Sequence, residues 1–94
     1  MSAVVNKTFY SPYTIIHTAA MAGPTKGIFD SIQVTSDDST DNIVITVTPL
    51  GDDASSVRIA SGESIYGPFT SYNITAVTGD VTIIVQERSK SIDN

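Results

Sequence analysis

The chain has no cysteine, one histidine, one leucine and five basic residues among its 94 positions, and no long apolar run. Each shortage excludes something. Without cysteine, neither disulfides nor thiolate metal centres supplement the core, although small exported domains often depend on such crosslinks. With Leu50 the only leucine, a leucine-rich helical core is excluded, because helical interiors lean on leucine and alanine. Five Lys and Arg against ten Asp and Glu give a net charge of −5 and a pI near 4.3. That balance opposes a phosphate backbone, which calls for clustered cations. Lys7, Lys26, Arg58, Arg88 and Lys90 are scattered, so an anionic membrane surface is an equally poor partner. No run approaches the ~18 apolar residues that span a bilayer. The start, MSAVVNKTFY, lacks a charged region followed by an apolar one. The expectation is a soluble protein without an export signal, binding neither nucleic acid nor membrane.

What is abundant is isoleucine, valine, threonine and serine. Branched side chains lose little when extended and fit a pleated surface, so the composition points to strands. A chain this short holds one domain, which buries only roughly 60 to 65% of the surface its unfolded form exposes. Oligomerisation or a partner surface would add to so thin a core.

Periodicity places the strands. The clearest is Asn42 to Thr48, where Ile43, Ile45 and Val47 alternate with Val44, Thr46 and Thr48. Ser55 to Ala60 points Val57 and Ile59 inward and Arg58 outward, and PLGDDA (49–54) turns the chain between the two. Tyr13 to Ala22 reads as a strand, and Gly23 to Gly27 as a turn cluster. Ile28 to Ser36 follows with Ile28, Ile32 and Val34 on one face. SDDSTDN (36–42) is a polar loop. Glu63 to Tyr66 is a short strand that Gly67-Pro68 interrupts. Phe69 to Val77 then presents Tyr72, Ile74 and Ala76, and Val81 to Glu87 presents Val81, Ile83 and Val85. The count of about seven or eight short strands predicts an all-β fold, a small antiparallel β-sandwich or a jelly-roll-like barrel. Residues 1–12 read as an arm or edge strand, 13–87 as the β-domain, and 88–94 as a polar, mobile tail.

Candidate chemistry is sparse. His17 has no recognisable nucleophile or orienting acid, and a hydrogen-bonded strand histidine explains it better than catalysis does. Asp37, Asp38 and Asp41, with Asp52 and Asp53 from the next turn, form the densest acidic cluster. Their spacing is not that of a calcium loop, and Asp and Ser are what turns use to bond their own backbone. The sequons at Asn6 and Asn73 read as chance matches in a threonine-rich chain. No catalytic, cofactor-binding or metal-binding residues are assigned, and an enzyme is not expected. The aromatic residues Phe9, Tyr10, Tyr13, Tyr66 and Tyr72 are the candidate interface set, since an amphipathic tyrosine is a frequent anchor at protein contacts.

The stretch SGESIYGPFTSYNITAV (61–77), followed by Gly79-Asp80 and Val81 to Val85, resembles a pattern near the carboxy end of small structural proteins of tailed bacteriophages. A Ser-Gly turn leads to a short strand, a Gly-Pro-Phe-Thr-Ser stretch opens the next, and a Gly-containing turn leads to the last. The resemblance covers about the final third of the chain. It implies a virion component, most like a capsid decoration (cement) protein on the outer face of the head. Such a protein is made in the host cytoplasm, binds the major capsid protein and is often a homo-oligomer, commonly a trimer. Another place in the particle (tail, collar or fibre base) and a carbohydrate-binding β-module are the alternatives.

Overall fold

A computed structural model describes residues 13–88, and every regular element within them is a strand. These are β1 (Thr14–His17), β2 (Thr25–Thr35), β3 (Asn42–Pro49), β4 (Ser55–Ala60), β5 (Ser64–Thr78) and β6 (Thr82–Glu87). Hydrogen bonds join all six into one sheet of order β1-β6-β2-β5-β3-β4, antiparallel throughout. The all-β class follows from the composition. The strands belong to one sheet, and among the described residues there are six of them.

The difference in count comes from β5. Gly67-Pro68, expected to split two strands, lies inside one continuous strand of 15 residues, with a cis bond between the two. The amino-terminal part of β5 pairs with β2 alone (Ile65 opposite Ile32), residues 69–72 pair with β2 on one side and β3 on the other, and the carboxy-terminal part pairs with β3 alone (Asn73 opposite Thr46). At about 3.3 Å per residue a straight strand of that length would reach roughly 50 Å. The longest extent of the molecule is 36 Å. The strand therefore bends, and the sheet bends with it. β2 and β4 come into contact although β5 and β3 lie between them in the hydrogen-bonded order, which a flat sheet with ~4.8 Å between strands does not allow.

Curling encloses a core drawn from five strands: Phe29, Ile32 and Val34 of β2, Ile43, Ile45 and Val47 of β3, Ile59 of β4, Phe69, Tyr72 and Ile74 of β5, and Ile83 and Val85 of β6, with Val81 just before it. No polar or charged residue is fully buried among those described. The inward faces of β3 and β4 follow strict alternation as expected, and in β6 Ile83 and Val85 face the core while Ile84 between them is buried as well. β2 and β5 break the alternation. Phe29 and Ile32 are both fully buried although three residues apart, because a register shift between Phe29 and Ser31 inserts an extra residue. Phe29, not Ile28, is thus the first core residue of β2, and Asp30 turns outward to meet Arg88 at 2.7 Å. In β5 a shift at Thr75 sets two residues of β5 against one step of β3. It exposes Ala76, the expected core residue, and packs Val77 against the core instead.

Two boundaries also move. β1 is four residues long, not ten; the chain then leaves the sheet, and Met21 returns to β5 by donating its N–H to the Ile74 carbonyl at 2.8 Å. β2 begins at Thr25, inside the expected turn cluster. At the other end Arg88 is not part of a free tail, since its N–H reaches the Ile28 carbonyl at 2.8 Å.

Candidate functional site: exposed side chains at the bend of the long strand

The five expected interface residues separate. Phe9 and Tyr10, with the rest of the proposed arm, lie outside the described residues. Tyr13 immediately precedes β1, is half-buried, and accepts the Glu87 N–H at its carbonyl at 3.1 Å. Tyr66 is 75% exposed on β5, opposite Ser31 and next to Gly67. Tyr72 is 1% exposed, so its ring belongs to the core and offers nothing to a surface partner.

Sequence reasoning overlooked a second exposed residue tied to β5. Leu50 is 58% exposed in the turn after β3, and its N–H donates to the Pro68 carbonyl at 3.0 Å. This bond places the chain's only leucine beside β5, two residues from Tyr66 along that strand. A large apolar residue at the tip of Pro-Leu-Gly-Asp-Asp has no packing role that alternation can assign, and that was the legible signal. The third large exposed apolar side chain, Ile16 at 51%, lies on β1 at the far end of the sheet order.

Tyr72 instead organises the interior. Its ring meets Phe29 edge to face at 4.8 Å and His17 at 5.6 Å, favoured geometries for aromatic quadrupoles. Its hydroxyl lies 2.7 Å from His17 Nε2, which satisfies the one polar group the ring carries inward. Burial, followed by the negative charge of Glu87, pushes the Tyr72 phenol up to about 12. Burial lowers the pKa of His17 below 6.5. The histidine is a strand residue whose Nε2 is hydrogen-bonded to the Tyr72 hydroxyl.

Both shifts predict a pH dependence. His17 binds its proton more weakly folded than unfolded, so its contribution is complete above pH 6.5 and declines as pH falls below that value. Tyr72 holds its proton more tightly folded than unfolded. Its contribution is complete below pH 10 and declines as pH rises through about 12. Tyr72→Phe is expected to lower stability by about 1 kcal/mol at pH 7 and to remove the alkaline decline between pH 10 and 12. Urea unfolding followed across pH measures both; an undiminished decline in the variant would assign it to another group.

The acidic residues divide as the strands dictate. Asp37, Asp38 and Asp41 from the β2–β3 loop meet Asp80 and Gly79 of the β5–β6 turn around an open cleft of about 340 Å³. Asp52 and Asp53 belong to the turn at the opposite end of β3, some eight residues and ~26 Å away. Within the cleft the side chains serve their own loop. Asp38 Oδ1 accepts the Thr40 N–H at 2.9 Å and the Thr40 hydroxyl at 2.8 Å, bonds that hold its carboxyl below the usual range. Ser36 donates to the Asp38 carbonyl at 2.8 Å, and Ser61 N–H donates to the Asp41 carbonyl at 3.0 Å. Gly79 has a φ of +86°, and a Cβ there would overlap the Asp41 carboxylate; the two residues are packed as a pair. Among the described residues no group of three or more His, Cys, Asp or Glu is arranged to hold a metal ion. Asn73, in the second sequon, sits within β5 with a buried Oδ1 that has no hydrogen-bond partner.

No protein-family model, no curated protein and no solved structure matches this chain. The functional reading rests on its own residues.

Proposed function

We propose that this chain is a structural component of a tailed-bacteriophage virion, a decoration protein that binds the outer face of the head and bridges neighbouring capsomers. In this reading it performs no chemistry and works through its surfaces, with the major capsid protein and sister subunits as its partners. The observation that carries the proposal is Tyr66, three-quarters exposed at the bend of β5 and inside the Ser61–Val77 stretch that resembles such proteins. A large amphipathic ring displayed on a strand is the kind of anchor that dominates protein contacts. The acidic surface agrees with a partner other than nucleic acid.

Rebinding tests this. Heads lacking the protein should take up the purified chain to saturation, and Tyr66→Ser should reduce the retained copies by about tenfold or more with the melting temperature unchanged, as expected for a hot-spot residue. Heads that take up no wild-type chain would remove the decoration role. The exposure of Tyr66 also suits a sugar-stacking platform, and loss of a glycan-array signal in the same variant would favour that reading instead.

A further inference from the structure

β4 ends the hydrogen-bonded order of the sheet, and its free side can be worked out bond by bond. In an antiparallel pair, residues alternate between those that bond the partner strand and those that point away from it. Ser61 N–H donates to Asp41 O at 3.0 Å, which fixes 41/61 as a bonded pair. Stepping by two along the β3–β4 register makes 43/59, 45/57 and 47/55 bonded pairs as well. The pairs Asn42/Ala60, Val44/Arg58 and Thr46/Ser56 are then the unbonded ones, and Ala60, Arg58 and Ser56 turn their N–H and C=O outward. The Val44 carbonyl agrees, since it faces β5 and accepts the Thr75 hydroxyl at 3.1 Å.

One of the three outward residues is closed off. The Ala60 N–H donates to Glu63 Oε1 at 3.0 Å, and the Ala60 carbonyl accepts the Glu63 N–H at 3.0 Å. Among the described residues, what remains is a short open edge of four backbone groups, the N–H and C=O of Ser56 and Arg58. Natural sheets guard such edges with bulges, prolines or inward charges. The β3–β4 register shows no shift, and β4 contains no proline.

We propose that this edge is a two-fold self-association site, at which β4 of a second copy pairs antiparallel with Ser56 opposite Arg58 of its partner. The pairing is self-complementary about Val57 and satisfies all four open groups with four bonds. It sets Arg58 against a serine on the outer face, so the two cations are not directly opposed. On the inner face it sets Val57 against the Val57 of the second copy. Val57 packs on the core but is only half-buried, and its twin covers the remainder. Sliding the register by two residues one way sets Arg58 against Arg58 and needs Ala60, which is already bonded; sliding the other way leaves Val57 facing Ser55. Charge selects the partner. Residues 54–62 carry Arg58 and no acid in a chain of net charge −5, so this is where two such chains approach with least repulsion. The same net charge makes the association stronger as salt rises.

Since the chain has no cysteine, a single introduced thiol reports one contact. Directly opposed unbonded residues stand close enough for a disulfide. Val57→Cys is expected to form a covalent dimer under mild oxidation, roughly tenfold faster than Ser56→Cys or Arg58→Cys. Arg58→Pro removes an outward N–H without touching the β3 ladder, and edge strands tolerate proline there. It is expected to weaken the wild-type dimer by roughly tenfold or more in sedimentation equilibrium. Fastest crosslinking at Ser56 or Arg58, or equal rates at all three, would overturn the pairing. So would a monomer at millimolar concentration, whether the Ser56 and Arg58 amides exchange freely or are protected by the chain's own terminal residues.

Discussion

Gly67→Ala is expected to cost about 3 kcal/mol or more, which in a domain of this size lowers the melting temperature by roughly 12–24 °C. A Cβ at Gly67 would fall on the backbone nitrogen of Phe69 and the backbone oxygen of Phe29, with the Phe69 ring close behind. Backbone atoms of two paired strands cannot swing aside as a flexible side chain does. Phe69 pairs with Phe29 of β2 on one side and with Pro49 of β3 on the other, so displacement would open both ladders at once. Gly23→Ala is the control, because a Cβ there meets nothing within 4 Å, and its melting temperature should stay within about 2 °C of wild type. Equal melting temperatures for the two variants would contradict the close approach at the bend.

Phe29→Ala is expected to remove about 3–5 kcal/mol, the usual cost of deleting a fully buried ring. Phe29 has no exposed surface, and its ring meets that of Tyr72 edge to face at 4.8 Å. Ile28→Ala, one residue away, should cost no more than about 1 kcal/mol, since Ile28 is half-buried and outside the core. Denaturant unfolding of the pair therefore reads the bulge itself. Under strict alternation from Ile32 the order would be reversed, with Ile28 the costly position.

That contrast marks how far the sequence was legible. Where a strand is regular, its pattern reads directly: Ile43, Ile45 and Val47 of β3 and Ile83 and Val85 of β6 face inward as alternation requires. The long strands β2 and β5 each contain an inserted residue, and an insertion reverses every assignment on one side of it. Nothing local announces it, because it is set by the need to curl the sheet around its core. The same bending carries β5 through Gly67-Pro68, where a reading by punctuation expects a break. Tyr72 shows the limit for a site. Its hydroxyl suggested a surface role, but His17, 55 residues earlier in the chain, supplies the partner that lets the ring be buried. Tyr66 and Leu50, by contrast, are exposed because no neighbouring strand lies over them. Leu50, a lone leucine in a polar turn, carried a signal that composition alone did not turn into a surface assignment.

These features give one account: a thin core closed by a bent sheet, with exposed anchors at the bend and an open edge at β4. The most direct test of its central claim is to image intact particles at a resolution that separates strands. The account predicts six-stranded density on the outside of the head, repeating with the capsid lattice, with the β5 bend and Tyr66 against the shell. Density confined to the tail or collar, or particles carrying no copy of the chain, would contradict it.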